Sequence, residues 1–381
     1  MGTPTYNTYT APYIYRGEYG ERAPFSIKEI IIHKDVTTIR DSAFIGRRFL
    51  TRVTMHNHVT TIGKYAFSGC TSLQPPFALS KNLEYIGKFA FNRCHSLEAL
   101  FLPPSVAWVG SKAFRDCGSL RICHIPDTLD FVHGGAFDLC YRILTTNVQY
   151  IWDDESESRE CTNNHDVNTW LRSRHDECPL HKICYNVNVT ADKIHEFIHK
   201  HSHTHTHGKY PHRAPSISID DQQMTAMHVV AANPHASPSA MRACFEANPR
   251  AVSAKDRYGC TPIHYLCKYN ASILGEMHWL RVREANGCFD IGCDVTHVTP
   301  LHILVENGHV GQLPLIVAIR HHILWLDPIV EANLKRDGQI LMRKDAETGL
   351  YIFMVAAVGE KADLSSIYKL LCINPGLVMA L

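Results

Sequence analysis

What this sequence lacks narrows its function first. It has no run of about 18 apolar residues, the length a helix needs to cross a bilayer, so no membrane span is expected. It has no charge excess: 38 basic residues face 37 acidic ones. That removes the electrostatic footprint of a nucleic-acid or anionic-membrane binder. It has no phosphate loop, dinucleotide fingerprint or metalloprotease helix. Cys267 stands three residues from His264, but no local motif supplies an orienting group, and the pair reads as two core residues. We therefore expect no enzyme and no cofactor. The first twenty residues lack a basic segment followed by an apolar one, and do not read as a secretory signal. The sixth position is Tyr6 rather than Ser or Thr, a poor match for myristoylation.

Cysteine is not scarce, with 14 in the chain. Four of them, Cys70, Cys94, Cys117 and Cys140, follow a register of Phe44, Phe67, Phe91, Phe114 and Phe137, spaced 23, 24, 23 and 23 residues apart. Cysteines at one repeat position form a ladder rather than a loop framework. They read as reduced structural residues of a cytoplasmic or nuclear protein.

A fixed period of this length implies a solenoid, in which each unit buries its apolar face against its neighbours. Each unit opens on Ile27, Leu50, Leu73, Leu97 or Leu120, with Ile143 as a terminal member. An alternating pair follows: Ile30/Ile32, Val53/Met55, Phe77/Leu79, Leu100/Leu102 and Cys123/Ile125. Alternation over so few residues predicts a short strand, and the strands stacked in parallel predict one face of a curved sheet. A second apolar pair and an Ala-Phe step complete the unit, with Gly63, Gly87 and Gly110 marking a bend that tolerates little volume. Gln74-Pro75-Pro76 accounts for the one longer interval, and prolines that cannot donate to a ladder predict a bulge or weakened strand there.

These units resemble the leucine-rich repeats of the bacterial surface-antigen type. The resemblance covers residues 25–145 and implies protein recognition. Partner-binding candidates are residues between the core positions: Lys28, Glu29, Arg52, Thr54, Glu98, Phe101, Arg121 and His124. Phe101 is an aromatic of the kind that anchors interfaces.

After Tyr141 the register fades into the polar segment around Trp152–Glu160, read as a linker over 146–174, with a short helix from about Val167 presenting Trp170 and Leu171. Cys161, His165, Cys178, His181 and Cys184 do not complete a standard zinc finger.

Residues 175–381 carry a different recurrence. Thr261-Pro262-Ile263-His264 and Thr299-Pro300-Leu301-His302 are its strongest copies, Thr225-Ala226-Met227-His228 and Cys178-Pro179-Leu180-His181 weaker ones. This resembles the ankyrin repeat, in which threonine caps a helix, proline sits at its first position and histidine bonds between repeats. Outer helices are predicted over 239–248 and 364–372, broken by Asn248-Pro249 and Asn374-Pro375, with 313–330 as a buried helix and a divergent last unit from Leu350.

The expected architecture is therefore α/β plus all-α: a leucine-rich repeat solenoid over 25–145 after an N-terminal extension of 1–24, then an ankyrin-like helical solenoid. The expected function is a non-enzymatic protein-interaction scaffold or adaptor, binding a protein and neither nucleic acid nor membrane. The alternative is a metal-responsive protein using His199, His201, His203, His205 and His207, whose alternating imidazoles offer ligands for nickel, copper or zinc.

Overall fold

The computed structural model describes residues 11–143, 170–176, 178–202 and 218–276. Chain contacts divide the protein into two compact units, Met1–Asp221 with Asn233–Ala236, and Gln222–Ala232 with Ser237–Leu381.

Among the described residues of the first unit there are ten short strands, all but the first from the repeat. They are β1 (Tyr13–Tyr15), β2 (Glu29–Ile32), β3 (Thr38–Ile39), β4 (Arg52–Thr54), β5 (Thr61–Ile62), β6 (Tyr85–Ile86), β7 (Ala99–Phe101), β8 (Trp108–Val109), β9 (Ile122–His124) and β10 (Phe131–Val132). All pairs are parallel. One ladder runs unbroken through β10-β8-β6-β5-β3. The other is split into β1-β2-β4 and β7-β9. The gap falls at the Gln74-Pro75-Pro76 unit, as the missing proline donors predict.

The five phenylalanines are at most 2% exposed. Their centroids lie 5.1, 5.1, 5.3 and 5.2 Å apart along the axis. Each is offset by one turn of the coil, so a single column of rings fills the solenoid. The cysteines lock this column: Sγ of Cys70, Cys94, Cys117 and Cys140 donates to the carbonyl of Phe44, Phe67, Phe91 and Phe114, one unit earlier, at 3.1–3.3 Å. Burial pushes the Cys70 thiol up to about 12 and Cys94 and Cys117 well above their ordinary value, so they are donors rather than nucleophiles.

The first coil has no preceding phenylalanine, and two other residues close that end. Tyr15 packs edge-on against Phe44 at 4.9 Å. Arg47, at the cysteine position, sends Nε and Nη2 to the Ala23 carbonyl and covers the Phe25 ring. Residues 13–15 thus add a strand inside the stretch read from sequence as an extension.

The glycine bend is tight. A Cβ on Gly87 would lie 2.6 Å from the Lys64 nitrogen and 2.7 Å from the Gly63 carbon. Both are backbone atoms of the adjoining coil, which cannot swing away. Gly87→Ala is expected to cost about 1–3 kcal/mol through overpacking, read as a lower thermal midpoint. An unchanged midpoint would show that the coils have slack.

Helical residues 170–173 and helices α1 (Pro179–Tyr185) and α2 (Ala191–Ser202) follow within the first unit. Leu171 is fully buried in the core of the coils, with Trp170 packed beside it, matching the reading of those two residues. Pro179 opens α1 at its first turn.

The second unit contains α3 (Ala226–Ala232), α4 (Pro238–Ala247) and α5 (Pro262–Tyr269), with 3-10 turns at Pro249–Ser253 and Ala271–Glu276. The break at Asn248-Pro249 falls where the sequence places it. A polar turn precedes α5: the Asp256 carboxylate accepts from the amides of Tyr258 and Cys260 at 2.9 and 2.8 Å. Gly259 takes φ +74° there.

The expected threonine cap at α5 is reciprocal: the Thr261 side chain accepts from the His264 backbone amide, and Nδ1 of His264 accepts from the Thr261 amide at 3.0 Å and from its hydroxyl at 2.9 Å. His228 does the same for Thr225 at 3.0 and 2.9 Å. Two donors on Nδ1 place the proton on Nε2, and His228 Nε2 donates to the Cys260 carbonyl of the following segment at 3.1 Å. Thr299–His302, 313–330 and the elements expected beyond residue 345 lie outside the described residues.

Candidate functional site: the strand face

In each strand of the split ladder, residues alternate between the core and the outer face. Register sets Glu29 beside Arg52, and Ile14 beside Ile31 beside Thr54. Further along, Ala99 lies beside Ile122 and Phe101 beside His124. The two stretches differ in what covers them.

The first stretch is open. Lys28 and Thr54 are exposed, Glu29, Ile31 and Arg52 half-buried, and Ile14 is 46% exposed. Ile14 and Ile31 supply an apolar patch bordered by charge, and their role was not apparent from sequence.

The second stretch is covered by the chain itself. Phe101, Arg121 and His124 are 4%, 7% and 7% exposed. This corrects the expectation that they face a partner. Phe101 packs against the Tyr185 ring at 5.6 Å. His124 packs against the neighbouring rings of His175 and Tyr185 at 5.5 and 5.6 Å, and its Nδ1 donates to the Leu171 carbonyl at 3.1 Å. Arg121 pairs with half-buried Glu98 at 3.7 Å. Their outward placement is right; the missing information was that residues 171–185 return over them.

Arg174 holds the cover in place. Its Nη1 donates to the carbonyls of Arg121 and Cys123, both at 3.2 Å. Nε and Nη2 grip the Asp221 carboxylate at 2.7 and 3.2 Å. Burial alone would weaken this cation, but Tyr185, Asp221 and Asp220 raise its pKa above the ordinary arginine value. Beside it, His175 Nε2 donates to Asp220 Oδ2 at 3.3 Å. Burial opposes ionisation of Asp220, yet the His175 hydrogen bond and Arg174 outweigh it and leave the carboxyl at about 2. Burial drives His175 down to about 4 and His124 to about 3. The pair is therefore neutral imidazole and carboxylate at neutral pH. None of Arg174, His175, Asp220, Asp221 or Tyr185 was singled out from sequence. They come from segments 47 residues apart, and no local motif links them.

The His175–Asp220 pair has the composition of an acid–base dyad, but both side chains have zero exposure. The nearby Cys123 thiol is pushed well up by burial. Among the described residues, His175, Asp220 and Asp221 form the one group with metal-ligand spacing, within 4.8 Å of one another. They fit a cation poorly, because Arg174 already takes both oxygens of Asp221. Cys178 Sγ instead donates to the Ile219 carbonyl at 3.4 Å. Of the histidine run, His199 is exposed on α2 and His201 bonds the Phe197 carbonyl at 2.8 Å; His203, His205 and His207 lie outside the described residues.

The coil geometry agrees with a family match: the BspA type leucine rich repeat region matches residues 22–150 in six copies. The N-terminal region is a leucine-rich repeat solenoid. Among solved structures, it is similar to a leucine-rich repeat protein of T. pallidum. That match has 30% identity and covers 30% of this chain and 55% of that one, with TM-score 0.29. A leucine-rich repeat protein from Bacteroides ovatus matches at 26% identity, covering 35% and 38%, TM-score 0.31. A leucine-rich cell surface protein from Faecalibacterium prausnitzii matches at 27% identity, covering 32% of each chain, TM-score 0.31. The chain spans about half or less of the length of these proteins. Comparison with curated proteins finds no match. Solenoids of this kind are characteristically non-catalytic modules that mediate protein–protein contacts. Among the described residues, no helix is long and apolar enough to cross a membrane.

Proposed function

We propose that this protein is an interaction scaffold or adaptor with two recognition modules. The observation that carries this reading is the open stretch of the strand face, where Ile14 and Ile31 lie within a frame of Lys28, Glu29, Arg52 and Thr54. An apolar centre with a charged rim is the anatomy of a protein interface. The second module is an ankyrin-type helical array. The repeated Thr225/His228 and Thr261/His264 caps support it, together with the His228 bond to Cys260. Two linked modules allow one large partner to be held at two points, or two partners to be bridged. A reducing, intracellular setting belongs to this reading, since the Cys70, Cys94, Cys117 and Cys140 bonds to carbonyls require thiols.

The test is affinity capture from native extract with the full chain and with Ile31→Glu/Arg52→Glu. Both positions are half-buried at the surface, so circular dichroism should be unchanged. Proteins retained by the full chain are expected to fall at least tenfold on the variant. Equal retention would remove the strand face from the proposal.

A further inference from the structure

The unbroken ladder carries a second surface, away from the strand face. Its outward position reads Thr38, Thr61, Tyr85, Trp108 and Phe131 in successive coils. The last three are aromatic. Trp108 and Phe131 are 39% and 40% exposed, and neither is needed by the phenylalanine column. Their planes are nearly parallel, Tyr85 to Trp108 at 6.4 Å and 12°, Trp108 to Phe131 at 4.1 Å and 18°. The Phe131 ring also meets His133 edge-on at 6.2 Å. Rings that brace one another lose little freedom on binding.

The position just before the aromatics reads Glu84, Ala107 and Asp130, all exposed. Register and the Ala107 and Trp108 amide bonds to the Glu84 carbonyl, at 2.9 and 3.2 Å, set these three side by side. With adjacent strands about 4.8 Å apart, the backbones of Glu84 and Asp130 stand about 10 Å apart across a small alanine. Among the described residues neither carboxylate has an ion pair. Lys88 and Lys112 lie over the Phe89 ring at 5.3 and 5.9 Å, and Arg172, beside Asp130 in the fold, donates to the Leu129 carbonyl at 2.7 Å.

We propose that this strip docks an extended segment of a partner protein that presents a lysine or arginine between apolar residues. The cation would lie over Ala107, between Glu84 and Asp130, with its aliphatic stem along Trp108. Long basic side chains bury their stems on apolar surface while the head stays with its counter-charge. The two carboxylates oppose a phosphate backbone. The mutual stacking of the rings leaves few free faces for a sugar or a base.

The probe is a fluorescein-labelled peptide, Gly-Val-Thr-Leu-Lys-Val-Thr-Gly, with a Lys-to-Glu version as its counterpart, titrated by anisotropy against the full chain. The lysine peptide is expected to bind at least tenfold more tightly than the glutamate peptide. Trp108→Ala is expected to weaken it at least tenfold, and Glu84→Gln/Asp130→Asn at least fivefold. All three positions are surface residues, so both variants keep the fold. Absent binding, equal binding of the two peptides, or unchanged affinity in either variant overturns the proposal. So does self-association of the chain that Trp108→Ala abolishes, which assigns the strip to a second copy.

Discussion

Arg174→Ala is expected to lower stability by about 3–5 kcal/mol, the scale on which a buried pair is lost when one partner is removed. The reason is the number of groups left behind. The guanidinium is 1% exposed in its side chain and meets Asp221, itself only 20% exposed. It also satisfies the Arg121 and Cys123 carbonyls. Without it the Asp221 carboxylate keeps its burial and loses its counter-charge. Arg174→Lys is expected to recover only part of the loss, because an ammonium cannot reproduce the planar fork that serves Asp221 and two carbonyls together. Hydrogen exchange across residues 99–101 and 122–124 reports the local consequence, since these strands lie under the cover. Faster exchange there, with protection retained around Phe44 and Phe67, is the expected pattern. If exchange rises uniformly, the cover and the coils unfold as one and the strand face has no separate covered state.

Acidification to pH 5 is expected to weaken the first unit by about 2 kcal/mol per buried histidine, two of them at the cover and His235 at the Leu79 carbonyl. His124, His175 and His235 are held at about 3, 4 and 4. Burial is the main cause in each. Positive neighbours add to it, opposed by a hydrogen bond to Leu171, Asp220 or Leu79 respectively. A released imidazole titrates near 6.5. Between these values the released chain takes up protons that the docked chain refuses, so stability is complete above about pH 7 and falls as pH drops towards 4. Asp220, held at about 2 against an ordinary 3.8, adds a further loss below pH 4. Denaturant midpoints measured from pH 7.5 to 4.5 give the slope. His175→Phe, which removes one titrating ring at the cost of its bond to Asp220, should flatten it. A midpoint independent of pH over that range would show that the histidines are already solvated.

The repeat made much of the first unit legible. Phe44 through Phe137, the Ala before each and the leading leucines fall where a 23-residue period puts them, because every coil repeats one local packing problem. Even the interruption was legible, since Pro75 and Pro76 carry no ladder donors. The partner-binding candidates were legible only as positions. Alternation identifies Phe101 and His124 as outward, but it holds no information on what lies outside. The cover of 171–185 depends on contacts 43 to 53 residues apart in sequence. Those contacts occur once, so no period records them. Tyr15 and Arg47 escaped for a related reason: end caps replace the repeat residue with something unlike it.

The same divide separates the two ladders. Tyr85, Trp108 and Phe131 share one repeat position, yet their stacking needed the parallel register of three strands. For this protein the sequence by itself determined the solenoid, through an apolar pattern that only a coil of this length can bury. Tertiary structure decided which faces are available. Availability is set by single, long-range charge and hydrogen-bond contacts such as the Arg174 fork.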